Sequence, residues 1–324
     1  MTYSYILLPA EGFLLAITID ILFGEPRAFI NIRDVSIRVS SWLFRKFSNG
    51  KGRFSRGFLI VLSTFLIIII PAIIILNLNY EIYSDTIIVF LYALILTSTF
   101  RITSVGARLK PVINYLENND TAGAQVALSL ITGSDIVESD AVMLNSRIIE
   151  VIGKEFMEGI VGPLFYFIFF GLPGAVLYRV TCSTRDANKR ETFKEIQLGK
   201  FSSYASSFLN WAASGIASSM LIASIFLLNL NVGRISPMKA SRMATERASG
   251  VVVASMASAL NIKIEHFGEY VMNDSGFPPQ LKDIKNSMKV YYLSIFLYLA
   301  LIVIPMALTM IFFYHYLGFP TILL

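Results

Sequence analysis

GFLIVLSTFLIIIIPAIIILN, residues 57–77, carries no charged side chain, and between Phe58 and Leu76 only Pro71 interrupts it. An α-helix rises about 1.5 Å per residue, so roughly 20 apolar residues cross a hydrocarbon core of about 30 Å. A proline inside such a span is tolerated where neighbouring helices satisfy the freed backbone groups. This stretch therefore fixes the fold class as helical membrane protein, and the rest of the chain agrees. Of 324 residues, 55% are hydrophobic and 15% charged, with a mean hydropathy of +0.64, which excludes a soluble two-domain protein. Working outward, the other candidate spans are 5–23, 86–100, 206–232 and 290–313. Residues 159–178 form a sixth, broken segment, because Gly162-Pro163 and Gly171-Leu172-Pro173-Gly174 interrupt it twice. That segment reads as either a kinked span or a re-entrant pair. The expected architecture is all-α: a polytopic integral membrane protein of about five to six transmembrane or re-entrant helices, forming a single membrane domain over 1–324.

Lys and Arg number 8 in residues 24–56, none in 78–85, 5 in 101–158, 6 in 179–205 and 8 in 233–289. Basic connections stay in the cytoplasm, which puts 24–56 and 101–158 inside and the N-terminus outside. If 159–178 and 206–232 both crossed fully, the basic 179–205 connection would lie outside. The favoured reading is that neither crosses fully, which keeps every basic connection inside. Glu11 and Asp20, with no basic leading region, argue against a cleaved signal peptide.

Residues 30–47 place Arg33, Arg38 and Arg45 among Ile, Val, Trp42 and Phe44, the pattern of a basic amphipathic helix on the inner membrane surface. The segments 101–158 and 233–289 read as cytoplasmic and helical, with helices over 107–118, 122–131 and 139–157 in the first. Residues 250–262 are apolar but too short to span, and predict a buried or re-entrant helix. Small residues over 212–224 favour close helix packing.

One cysteine, Cys182, excludes an internal disulfide, and two separated histidines, His266 and His315, exclude a zinc site built on them. The net charge of +5 points to topology and anionic lipid headgroups, and no nucleic-acid partner is expected. Four groups could carry chemistry. Asp20 and Gly24-Glu25-Pro26 form an acidic helix end and a sharp turn, which a cap and turn alone would also explain. Asp135, Glu150, Glu155 and Glu158 precede a membrane segment. Hard carboxylates of this kind collect Mg²⁺ and, through it, nucleotide phosphates. Arg147, Glu150, Lys154 and Glu158 also fall on one helical face, so intrahelical ion pairs are an equally direct explanation. Arg179, Arg185, Lys189 and Arg190 lie among small hydroxyl residues and could grip phosphate oxygens, or form a solvated basic loop. The fourth group, Arg242 to Gly250 with Phe267-Gly268-Glu269, says little by itself. Glu11, deep in its helix, is either functional or satisfied by an interhelical hydrogen bond.

The order of these pieces resembles the CobD/CbiB family of integral membrane adenosylcobinamide-phosphate synthases, over about 270 residues from Asp20 to about Lys289. The family's Asp-x-x-x-Gly-Asp-Pro turn is Asp20, Gly24, Glu25 and Pro26 here, and its Gly-Arg-Asp element is Gly133-Ser134-Asp135. Its Glu-x-x-Ala-Glu-Asn-x-x-Asp-Gly element reads Glu150, Gly153-Lys154-Glu155 and Glu158-Gly159, followed by Pro163-Leu164-Phe165. Tyr178-Arg179, Ala257 to Leu260 and Phe267-Gly268-Glu269 are similar to three further elements. Departures include Ser134 for arginine, Phe156 for asparagine, a displaced Asp186 within Cys182 to Lys189, and Ser206-Ser207 for Asp-Asp, with Asn210 retained.

The resemblance implies cobalamin biosynthesis: ATP-dependent joining of aminopropanol or its O-phosphate to the propionate carboxylate of adenosylcobyric acid. It implies ATP and Mg²⁺ as cosubstrate and ion and no tightly bound cofactor. Asp135, Glu155 and Glu158 would serve as metal ligands or general base, with Asp135 and Glu155 on the metal. Arg179, Arg185 and Lys189 would neutralise phosphates, and Asp20 and Glu25 would fix the turn or join the metal site. These groups are expected to converge on the cytoplasmic side. Implied partners are the lipid bilayer, the corrinoid and aminopropanol, with other membrane-bound late cobalamin-pathway enzymes and a homo-oligomer compatible with the reading. A catalytically inactive or AmpE-like structural or sensory relative fits the same residues. A small transporter fits less well, because matching breaks in two repeated halves are missing.

Overall fold

The computed structural model describes residues 4–26, 31–47, 53–82, 85–133, 140–190, 198–230, 247–266, 270–306, 308, 309 and 312. The chain folds into two compact units. One comprises Met1–Thr103, Gly162–Ser206 and Leu301–Leu324; the other comprises Ser104–Val161 and Ser207–Ala300. Helical stretches long and apolar enough to cross a membrane are Phe54–Leu76, Ala141–Asn188, Lys200–Leu227 and Leu281–Met306.

The first unit contains α1 (Ser4–Phe23), α2 (Ile32–Lys46), α3 (Arg53–Ile82) and α4 (Asp85–Thr97). It also contains α8 (Gly162–Arg190) and the start of α9 (Lys200–Leu227). The long apolar run lies in α3, which passes through Pro71 without ending. Helix α1 packs on α4, and the Thr97 hydroxyl donates across to the Ala16 carbonyl at 3.1 Å. Helix α4 lies in the expected 86–100 segment and is 13 residues long, about 20 Å. It stops where Thr97, Ser98 and Thr99 turn their hydroxyls onto carbonyls of the preceding turn. Helix α2 is amphipathic as expected, and it is capped by Asn31, which accepts from the Arg33 N–H. Its face of Ile37, Leu43 and Phe44 packs with Ile60, Ala187 and Leu198, while Trp42 stays exposed with Lys46 over its ring.

Helix α8 resolves the broken segment. Gly162-Pro163 do not interrupt it; a π turn over Met157–Val161 widens the backbone just ahead of the proline, relieving its clash with the preceding turn. The one non-helical residue is Gly171, at φ 62° and ψ −157°, and there the helix folds back. Tyr166 and Tyr178 stack with ring centroids 5.3 Å apart, whereas twelve residues of straight helix would separate them by about 18 Å. The segment thus folds back on itself as a helical pair. Gly162 lies flat against the Tyr178 ring, which would overlap any Cβ placed there. The conformation of Gly171 is essentially reserved for glycine, so Gly171→Ala should cost about 1–3 kcal/mol. A lowered unfolding midpoint in detergent is the expected result.

The second unit contains α5 (Ser104–Glu117), α6 (Thr121–Thr132), α7 (Ala141–Phe156) and the greater part of α9. It is completed by α10 (Arg247–Leu260), a hairpin of β1 (Ile264–His266) and β2 (Tyr270–Met272), and α11 (Leu281–Tyr298). The two short strands, paired Ile264 with Met272 and His266 with Tyr270, are a small departure from the all-α expectation. Their three-residue length leaves too little alternation to read. Helix α7 is central and packs on α10, α11 and β1. Helix α10 is buried, in line with its apolar sequence. Helix α9 buries Ala213, Ala217, Leu221 and Ser224 in one stripe, and the Ser224 and Ser294 hydroxyls meet at 2.7 Å. It is an unbroken 28 residues, about 42 Å long. Tyr298 donates to the Val161 carbonyl at 3.1 Å, tying α11 to the π turn.

Candidate functional site

In the first unit, three of the predicted residues meet one turn. Helix α1 ends at Gly24, whose φ of 72° turns the chain toward Glu25. Asp20 is wholly buried, and its Oδ2 accepts from the backbone N–H of Ile102 at 2.9 Å and of Thr103 at 3.2 Å. The Thr103 hydroxyl returns a bond to the Asp20 carbonyl at 2.9 Å. Glu25 pairs with buried Arg101 at 3.2 Å, and Arg179 donates from Nε to the Thr99 carbonyl at 2.7 Å. Asp20, Glu25 and Arg179 therefore clasp the turn that follows α4. Of the two roles expected for the acids, turn fixation is the one this geometry supplies, since a carboxylate accepting backbone N–H groups is an anchor.

Further along α8 the expected solvated basic loop is instead buried helix, which corrects that alternative. Arg179, Thr181, Cys182, Ser183, Thr184, Arg185 and Asn188 are all less than a tenth exposed. Arg185 donates to Asp186 Oδ1 from Nη2 at 2.9 Å and from Nε at 3.3 Å, and Arg33 on α2 lies 3.8 Å from the other oxygen. The charges are tolerated because they are paired inside the unit. Lys189 belongs to the helix, but its side chain lies outside the described residues.

In the second unit, α7 and the π turn carry the carboxylates. Glu150 is fully buried and is met by three donors: Arg147 Nη1 at 2.7 Å, the Tyr270 hydroxyl at 2.8 Å, and Lys154 Nζ. The intrahelical ion pairs expected from the spacing are thus present, with a tyrosine from β2 added. Glu155 lies 3.5 Å from Arg108 of α5. Glu158 accepts from Asn210 Nδ2 of α9 at 3.0 Å. Asp135 lies outside the described residues, as does Phe267-Gly268-Glu269. Glu11 is exposed on α1.

Among the described residues, no group of three or more carboxylate, thiol or imidazole residues could hold a metal ion. Mg²⁺ keeps several waters and takes one or two protein carboxylates alongside substrate phosphates, so a smaller set can suit it. Glu158 has the neutral Asn210 amide among its partners, and Glu155 a guanidinium.

Sequence reasoning missed Arg101, Arg33, Arg108 and Tyr270. Arg101 enters the sequence reading only as a topology marker and Arg33 only as part of the amphipathic surface helix, and each finds its acid across a gap in sequence that spacing does not reveal. Tyr270 adjoins the Phe-Gly-Glu element, the one signal that could have pointed to it.

The family model described as CobD/Cbib protein matches residues 13–312. A probable cobalamin biosynthesis protein CobD of Thermoplasma volcanium is 33% identical over 302 residues, covering 91% of this chain and 96% of the relative. The Thermoplasma acidophilum protein of the same description is 30% identical over 307 residues, covering 92% and 97%. The cobalamin biosynthesis protein CobD of Dehalococcoides mccartyi is 29% identical over 272 residues, covering 81% and 86%. No solved structure matches the chain.

Proposed function

This chain belongs to the CobD/CbiB family of cobalamin biosynthesis proteins, and on that premise we propose that it catalyses ATP-dependent amide formation between adenosylcobyric acid and aminopropanol or its O-phosphate. The observation that carries the reading is the family match across residues 13–312, supported by the relatives' coverage of nearly their whole length. A carboxylate is a poor acyl donor, so the propionate has to be activated by phosphoryl transfer before an amine can displace the phosphate. Catalysis of such steps rests on positioning and charge stabilisation more than on covalent chemistry by the protein.

Asp135, Glu155 and Glu158 would hold Mg²⁺ or act as general base, and the ion would supply positive charge to the phosphates of ATP. Asn210 orients Glu158, and Arg108 holds Glu155. Arg185 and Lys189 neutralise phosphates, while Arg179, Asp20 and Glu25 act by holding the turn after α4. The protein resides in the cell membrane with its N-terminus outside, and residues 24–56, 101–158 and 179–205 in the cytoplasm. The fold-back of α8 supports this last placement, because it returns the basic end of the helix to the side from which the helix entered.

Complementation of a synthase-deficient strain fed cobyric acid tests the reading. The wild-type chain should restore growth, and Asp135→Asn and Glu155→Gln should abolish it while both proteins still insert. Undiminished growth with both variants would discard the assignment. ATP-dependent stabilisation of the purified protein separates this enzyme from a sensory relative with no nucleotide.

A further inference from the structure

Helix α2 ends beside the start of α3, and the corner between them carries a surface of one composition. The exposed positions of α2 and its cap are Arg38, Trp42, Arg45, Lys46 and Phe47, cations and aromatics with no acid among them. Residues 38, 42, 45 and 46 fall on one face at 3.6 residues per turn, away from the face that packs on Ile60, Ala187 and Leu198. The Lys46 ammonium lies 4.8 Å from the centre of the Trp42 ring. Arg56 holds the corner, donating from Nη1 to the Phe47 carbonyl at 2.9 Å.

The aromatic surface continues onto two neighbouring helices. Phe54 opens the membrane-length run of α3, and its ring centroid lies 5.4 Å from Phe201 and 6.4 Å from Tyr204, both in the first turns of α9. Lys200, the first residue of α9, is exposed, and α9 too is of membrane length. Two apolar helices thus begin side by side, and their shared end is marked by exposed Trp42, Phe47, Phe54 and Tyr204 with Lys46 and Lys200. Rings of this kind settle at the level of lipid headgroups, where one side is apolar and the other wet.

We propose that this corner binds anionic phospholipid, with Lys46 and Lys200 supplying cations to the headgroups and Trp42, Phe47 and Phe54 lying against the upper acyl chains. Charge complementarity selects the occupant. An anionic headgroup attracts an ammonium placed at the membrane surface, whereas a zwitterionic one carries its own cation and largely cancels that attraction. The basic stripe beside the aromatic belt is the form in which an interfacial helix recognises such a surface. The inference rests on the proposed membrane placement and is independent of the proposed reaction.

Trp42 and Trp211 are the two tryptophans of the chain, so single-tryptophan proteins report each place separately. Full-length Trp211→Phe protein is reconstituted in mixed vesicles of phosphatidylglycerol and phosphatidylcholine, with the acyl chains of one lipid or the other brominated. Brominated phosphatidylglycerol should quench Trp42 with an apparent affinity about fivefold higher than brominated phosphatidylcholine, the order that one lysine supplies near an anionic headgroup. Lys46→Gln combined with Lys200→Gln should bring the two lipids to parity, as should about 0.5 M salt, whereas Lys46→Arg with Lys200→Arg should keep the preference. Equal quenching by the two lipids when both lysines are present would overturn the proposal. Absence of quenching by either would overturn it too, and would show the corner covered by protein, such as a second copy of the chain. Trp211, 76% exposed on α9, is the control for membrane placement in the Trp42→Phe protein. Quenching there, with no lipid preference at Trp42, removes only the anionic-lipid site; no quenching there removes the placement and the site together.

Discussion

Glu150→Ala is expected to destabilise the second unit by roughly 3–5 kcal/mol, the range for leaving buried cations without their counter-charge. Glu150 is the shared partner of Arg147 and Lys154, whose side chains are 13% and 29% exposed, and it also accepts from Tyr270. The substitution removes all three bonds and opens space at the centre of α7. Glu150→Gln keeps the volume and an acceptor for Tyr270 but loses the charge, so it should fall between wild type and alanine. Tyr270→Phe removes a single hydroxyl and should cost about 1 kcal/mol. Unfolding midpoints of the purified proteins in one detergent would establish the order alanine, glutamine, phenylalanine, wild type. An alanine variant with the wild-type midpoint would show that the network contributes nothing.

The second large effect falls in the first unit. Asp20→Ala should cost roughly 2–4 kcal/mol, because the carboxylate oxygen it removes is the acceptor for two backbone N–H groups, and bonds to charged groups are the strong ones. Both N–H groups lie more than 80 positions downstream, so the change also unties α1 from the turn after α4. Asp20→Asn preserves an acceptor oxygen and should lose less than half as much. A folded, stable Asp20→Asn protein with no synthase activity would contradict the anchoring role and return Asp20 to the metal site.

These two carboxylates mark the limit of what the chain discloses one residue at a time. The long apolar run of α3 is legible because the bilayer demands length and dryness, and few soluble folds supply both. The amphipathic α2, the helices of residues 104–156 and the small-residue stripe of α9 follow from periodicity and composition alone. Three features were not legible for physical reasons. The end of α8 looks solvated in sequence, since five charges or amides stand close together, but pairing of Arg185 with Asp186 and of Arg179 with the Thr99 carbonyl lets the helix bury both arginines. Helix α4 ends at Thr97, short of residue 100, where its last hydroxyls turn back on carbonyls, a choice that hydropathy does not record. The break in α8 was visible as Gly and Pro, yet only tertiary contact between Tyr166 and Tyr178 distinguishes a fold-back from a kink. In the candidate site, Glu158 with Asn210 and Asp20 with Glu25 were named from the motif order, while Arg101, Arg108 and Tyr270 became evident only from the partners they reach.

The account stands or falls on amide synthesis by the purified chain. Incubated in nanodiscs with adenosylcobyric acid, aminopropanol O-phosphate, ATP and Mg²⁺, it should yield adenosylcobinamide phosphate, resolved by mass spectrometry, with one phosphoanhydride bond cleaved per amide formed. Folded protein that gives no corrinoid amide under these conditions, with either the phosphorylated or the free amine, would contradict it.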